Sequence, residues 1–141
     1  MRNLVVCAVI LPVLISLFLV ATLTSEIFSV LAQEITRIKP DELKKMIESQ
    51  ANIVVVDTQP KGAYEIGHIK GANNFPWAPE IESPWNLPHN KTLILYCDCP
   101  HEEDSIDVAT QLTKKFGYTD IKILEDGWLG WQKLDYPTEK K

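Results

Sequence analysis

The sequence predicts an α/β fold, an open parallel sheet flanked by helices and preceded by one N-terminal hydrophobic helix. Three observations carry that expectation. Strand-like and helix-like stretches alternate from Ile35 to Leu134, the pattern of successive βαβ units with right-handed crossovers. Two short runs, Ile53-Val54-Val55-Val56 and Leu93-Ile94-Leu95, are apolar without a break, as expected of strands covered on both faces. Ahead of them, 17 of the 20 residues from Leu4 to Leu23 are apolar and none is charged.

That first segment comes before the fold proper. Twenty helical residues span about 30 Å, the hydrocarbon thickness of a bilayer. The run exceeds the usual core of a signal peptide, and Pro12 inside it suits a membrane helix better than a soluble one. An uncleaved anchor is therefore favoured. Its competitor is a signal peptide cleaved after Ala32, since Val30 and Ala32 are small residues at the positions a signal peptidase prefers. In both cases Arg2 keeps the amino terminus cytoplasmic and the remainder is exported, although Arg37, Lys39, Lys44 and Lys45 follow on the far side. Cys7 is one more apolar residue of the segment. The expected organisation is 1–32 as anchor or signal and 33–141 as one domain, whose length suffices for a single packed core.

Ile35 to Ile38 reads as a short edge strand. Pro40, Asp41 and Glu42 then open a helix with proline and acids in its first turn, and Leu43, Met46 and Ile47 form its apolar stripe. The strand Ile53–Val56 ends in Asp57. Gly62 to Gly67 is a turn or short helix, and Gly71 to Phe75 leads into a long loop punctuated by Pro76, Pro79, Pro84 and Pro88, with Trp77 and Trp85 on it. Lys91 to Tyr96 is a buried strand running straight into Cys97. Ile106, Ala109, Leu112 and Phe116 mark a helical face closed by Gly117 as its C-cap. Ile121 to Leu124 is the last strand and Trp128 to Leu134 the last helix, with Trp128 and Trp131 as packing residues.

The net charge is −5, from 14 basic and 19 acidic residues, and no cluster of Lys and Arg offers a nucleic-acid surface. Residues 1–32 contain one Arg and one Glu, so the whole of that charge belongs to the domain. Chemistry is expected at residues 97–105. Ligands of open α/β sheets bind beyond the carboxyl ends of strands, and Cys97 stands where a buried strand hands over to a helix N-terminus. Backbone amides and the helix dipole favour a thiolate there. Such a cysteine can attack a sulfane sulfur and carry it as a persulfide; the plain alternative is an inert core cysteine.

Val56-Asp57-Thr58, Tyr64, Gly67-His68-Ile69, Gly71-Ala72, Asn74-Phe75-Pro76, Leu95-Tyr96-Cys97, Gly117-Tyr118, Leu124, Gly127 and Trp131 together resemble the rhodanese family over roughly residues 35–137. The resemblance implies a five-stranded parallel sheet between helices and transfer of sulfane sulfur from thiosulfate or a protein persulfide to a thiol. It also implies that Cys97 is the persulfide carrier, and that Asp98, Cys99, Pro100, His101 and Glu102 form the substrate-binding loop. The expected partners are a small sulfur donor or a protein persulfide or thiol, with the membrane engaged through residues 4–23 and no cofactor.

This loop departs from the family's usual pattern. Gly is typical three residues after the cysteine and Arg or Lys about five after it; here Pro100 and Glu102 occupy those places. Proline removes an amide from the sulfur cradle. Asp98, Glu102, Glu103 and Asp104 set four carboxylates around the thiol, which raises a thiol pKa and repels thiosulfate. Helix-dipole complementarity also accounts for acids here, with Pro100 at the first helical position. Gln59 replaces the family's usual Arg two residues after Asp57. Three alternatives stay open: a Cys97/Cys99 thiol-disulfide couple in an oxidising compartment, a soft metal site of Cys97, Cys99 and His101, and a catalytically silent interaction module. The metal site is the least favoured, because no second Cys pair exists. His68 reads as a structural hydrogen-bonding residue.

Overall fold

The computed structural model describes residues 35–84 and 86–141. The hydrophobic segment 4–23 and the cleavage position after Ala32 lie outside the described residues. Among those described, no helix is long and apolar enough to cross a membrane.

Residues 35–141 form one compact unit. Its elements run β1 (Thr36–Ile38), α1 (Pro40–Glu48), β2 (Ile53–Asp57), α2 (Lys61–Ile66), β3 (His68–Ile69), β4 (Asn73–Asn74), β5 (Thr92–Tyr96), α3 (Glu103–Phe116), β6 (Ile121–Leu124), α4 (Gly127–Lys133) and β7 (Thr138–Glu139). Five strands make one parallel sheet in the order β1-β6-β5-β2-β4. This is the predicted five-stranded architecture. β3 and β7 pair separately as a small antiparallel ribbon, His68 opposite Glu139 and Ile69 opposite Thr138. Neither ribbon strand nor β4 is long enough to leave an alternation in the sequence, and β4 lies where Gly71 to Phe75 was expected to lead into a loop.

The unbroken apolar runs behave as parallel-strand physics requires. Side chains alternate across a strand, so β5 sends Leu93 and Leu95 to one face and Ile94 and Tyr96 to the other, all four buried. On the first face Val56, Leu93, Leu95 and Ile123 pack against Val108, Ala109 and Leu112 of α3 and against Ile81 and Leu87 of the proline-rich loop. On the second, Val55, Ile94 and Tyr96 meet Leu43 of α1 and Trp131 of α4. α1 carries the predicted stripe, with Leu43 buried and Met46 and Ile47 against the core. Gly117 ends α3 at φ 72°, the left-handed C-cap that glycine adopts without penalty.

The start of α3 corrects an expectation. The helix begins at Glu103, so Pro100 is not its first residue. The Glu102 N–H bonds the Cys99 carbonyl at 3.4 Å, closing a turn over Pro100, and Glu102 then takes φ 59° before the helix starts. A left-handed residue here turns the Glu102 side chain toward β1 and the β6–α4 loop.

Candidate active site

Cys97 directly follows the central strand β5 and is completely buried. Its backbone is clamped from both sides. The preceding carbonyl, that of Tyr96, accepts the Thr58 N–H at 2.9 Å and the Thr58 hydroxyl at 3.0 Å. The Cys97 carbonyl accepts the Trp128 N–H at 2.8 Å. Gly127, just before Trp128, has φ 47°, and a Cβ there would come within 3.0 Å of the Cys97 carbonyl oxygen. Only a glycine lets the β6–α4 loop approach this closely. Thr58 also meets Ser105 of α3 across 3.3 Å between hydroxyl oxygens, which ties the β2 end to the helix that follows the loop.

Beneath the site lies a buried polar network. Asp57 accepts the Gln59 N–H at 2.8 Å, the Gln59 side-chain amide at 3.1 Å and the Tyr96 hydroxyl at 2.6 Å. The Tyr96 oxygen in turn accepts the Ile69 N–H at 3.0 Å. Burial raises the Asp57 carboxyl above its ordinary value, although Tyr96 and Gln59 oppose that shift, and burial beside Asp57 raises the Tyr96 phenol. Gln59 is itself buried and its carbonyl accepts from Asn74 at 2.9 Å. Where the family's usual Arg would bring a charge, a neutral amide organises the same corner through hydrogen bonds. His68 is structural as expected: Nδ1 lies 2.7 Å from the Tyr64 carbonyl, Nε2 lies 3.3 Å from Glu139, and the ring stacks on Tyr64.

The loop distributes its residues unequally. Cys97 and Cys99 are both free thiols. Cys99 is half-buried, and its pKa is pushed up to about 12, first by burial and next by the neighbouring Cys97. Cys99 is therefore a protonated donor at neutral pH. Pro100 has no N–H, the His101 N–H is taken by the Glu103 carboxylate at 3.2 Å, and the Glu102 N–H by Cys99. Two amides of the loop are thus engaged within it and a third is missing at Pro100.

The expected ring of four carboxylates around the Cys97 thiol is not what forms. The Glu102 carboxylate accepts from Arg37 of β1 at 3.1 Å and from the Asp126 N–H at 3.2 Å, so it latches three segments together. Glu103 caps the loop at His101, Asp104 faces Cys99, and Asp98 is exposed. Among the described residues no group of three or more His, Cys, Asp or Glu side chains is gathered to hold a metal ion, so the Cys97, Cys99 and His101 set is not assembled. The roles of Thr58, Ser105, Arg37 and Trp128 have no signal in the sequence, because each depends on a contact across the fold. Thr58 and Gly127 belonged to the family pattern, but nothing in their spacing announced hydrogen bonds formed across the sheet.

A family model for the rhodanese-like domain matches residues 39–134. The chain belongs to the rhodanese-like domain family. Among its relatives is the adenylyltransferase and sulfurtransferase UBA4 of Debaryomyces hansenii, 30% identical over 113 residues, covering 74% of this chain and 25% of that protein. Another is the HTH-type transcriptional regulator Rv0324 of Mycobacterium tuberculosis, 28% identical over 91 residues, covering 62% of this chain and 38% of the relative. The chain thus spans well under half the length of these curated relatives. The solved BH2092 protein of Bacillus halodurans shares the fold, with a TM-score of 0.68, 23% identity and coverage of 83% of this chain and 85% of that one. The rhodanese-like domain here is therefore similar both to part of a sulfurtransferase and to part of a regulator.

Proposed function

We propose that this rhodanese-like domain transfers sulfane sulfur through a persulfide on Cys97. The observation that carries the reading is the placement of Cys97 at the end of the central strand, its carbonyl and that of Tyr96 both pinned. In the first half-reaction the Cys97 thiolate attacks the outer sulfur of a persulfide, R–S–SH. A new S–S bond forms to Cys97, the donor's S–S bond breaks, and R–S⁻ leaves. In the second half an acceptor thiolate attacks the outer sulfur of Cys97–S–SH, and Cys97 leaves as thiolate. Each half exchanges one S–S bond for another, with no external oxidant.

The donor role of Cys99 is electrostatic. A neutral S–H beside Cys97 stabilises negative charge there at no cost in repulsion. Burial and the neighbouring Cys97 hold the Cys99 thiol up, which disfavours it as a second nucleophile and favours the persulfide reading over the Cys97/Cys99 disulfide. The unpaired acid Asp98 beside Cys97 disfavours a small dianion, so a persulfide is the preferred donor over thiosulfate. The similarity to the sulfurtransferase UBA4 supports the same reading.

We place the domain on the extracytoplasmic side of a membrane, held through residues 4–23 or released after Ala32; an N-terminal mass on the mature protein tests which. The sulfur-transfer reading is tested by intact mass after exposure to an organic persulfide. Gain of one sulfur atom, lost in Cys97→Ser, is the expected outcome; an unmodified mass with a free Cys97 thiol rejects it.

A further inference from the structure

We infer that the groove between α2 and α4 docks a basic, apolar, cysteine-bearing segment of a partner protein. The inference rests on the reading of Cys97 as a sulfur carrier and names the kind of partner that carrier serves. The groove holds about 430 Å³ and runs from Ile66 and Gly67 on one wall to Trp128 and Leu129 on the other, with Gln59 and Asp98 lining it as well. Asp98 is the residue next to Cys97. An occupant of this groove thus reaches the loop that carries the thiol.

Two observations specify its chemistry. The walls present side chains the fold does not use: Ile66 is 75% exposed and Leu129 57%, although both are large and apolar. The two walls approach closely at one point, where a Cβ on Gly67 would stand 3.2 Å from the Trp128 ring. Exposed apolar walls around a preformed groove favour an occupant with apolar side chains. The second observation is charge. Among the loop's carboxylates Glu102 is paired with Arg37, Glu103 with the His101 N–H and Asp104 with Cys99, whereas Asp98 has no partner among the described residues. It is the one ionisable side chain lining the groove, on a chain of net charge −5. The complement is a cation flanked by apolar residues. An anionic small donor meets neither condition, and an anionic lipid surface is repelled by the same charge. A polypeptide with Arg or Lys beside its cysteine meets both, and its cation on Asp98 brings the neighbouring thiol to the loop that begins at Cys97.

The test reads binding, separately from sulfur chemistry. The full-length Cys97→Ser chain in phosphatidylcholine vesicles is titrated against a short fluorescent peptide of alternating leucine and arginine around a central serine, and against the same peptide with glutamate for arginine. Empty vesicles supply the baseline. The arginine peptide is expected to bind at least about tenfold more tightly than the glutamate peptide. Leu129→Ser or Ile66→Ser is expected to weaken it by about tenfold, Asp98→Asn to erase the preference for arginine, and Leu134→Ser, on an exposed residue that does not line the groove, to change nothing. Equal affinity for the two peptides overturns the inference, as does indifference to both Leu129→Ser and Ile66→Ser. A cross-linked dimer that Leu129→Ser abolishes assigns the groove to a second copy of the chain and overturns it too. Binding is measured without the thiol, so failed sulfur uptake by the wild type leaves this result standing, and the converse also holds.

Discussion

Replacing Gly127 by alanine removes the one feature that lets the β6–α4 loop reach the back of Cys97. The cost has two parts. Alanine at φ 47° sits in the left-handed region at about 1 kcal/mol. Its Cβ also falls within 3.0 Å of the Cys97 carbonyl oxygen and 3.3 Å from the carbonyl carbon, so the loop must withdraw and the 2.8 Å bond from the Trp128 N–H is lost. Leaving that buried acceptor unsatisfied costs about 1 to 3 kcal/mol. The sum, about 2 to 4 kcal/mol, is a large share of the roughly 5 to 15 kcal/mol that holds a domain together. It lowers Tm by roughly 10 to 20 °C at this size. Thermal unfolding followed by circular dichroism measures it, with Gly62→Ala as the matched control. A Cβ at Gly62 meets nothing within 4 Å, and alanine inside α2 gains about 0.5 to 1 kcal/mol. A Gly127→Ala protein that melts within about 3 °C of wild type would refute the clamp on Cys97.

Three further outcomes follow from the same contacts. Tyr96→Phe removes the hydroxyl shared by Asp57 and the Ile69 N–H, and is expected to destabilise the domain by about 2 to 4 kcal/mol in urea unfolding. The raised Asp57 carboxyl makes the native state bind more protons than the unfolded state between its ordinary 3.8 and its native value. Its contribution therefore falls as pH rises through that window and stays lower at neutral pH; Asp57→Asn is expected to flatten this slope in unfolding curves measured across acid pH, while lowering stability overall through the lost carboxylate bonds. Cys99, with its thiol pushed up to about 12, is expected to resist iodoacetamide at neutral pH in the native protein and to react once it is unfolded. Peptide mapping that finds Cys99 alkylated as readily as a free thiol contradicts its role as a protonated donor.

Much of this molecule is legible in its sequence because buried parallel strands leave an unmistakable mark. Ile53–Val56 and Leu93–Leu95 are apolar at every position since both faces are covered, and Cys97 is conspicuous at the end of one of them. Helix ends with chemical signatures, Pro40 and Gly117, were equally plain. The short strands His68–Ile69, Asn73–Asn74 and Thr138–Glu139 were not, because two residues carry no periodicity and their pairing is decided by distant chain. The loop was misjudged for a related reason. Counting charges near Cys97 gives four acids, but Glu102 takes a left-handed conformation and its carboxylate is drawn to Arg37, a residue 65 positions away in sequence. Likewise nothing local to Cys99 shows that it is half-buried near Cys97 and Asp104. Residue types announced the chemistry; the direction each side chain takes depended on tertiary contacts.

Cys97 is proposed to carry the sulfur, with Cys99 only assisting. Peptide-level mass mapping of the full-length protein, after exposure in parallel to an organic persulfide and to thiosulfate, tests it most directly. One added sulfur is expected on Cys97 from the persulfide, much less from thiosulfate, and none on Cys99. Sulfur found on Cys99, or a Cys97 left free by both donors, would contradict it.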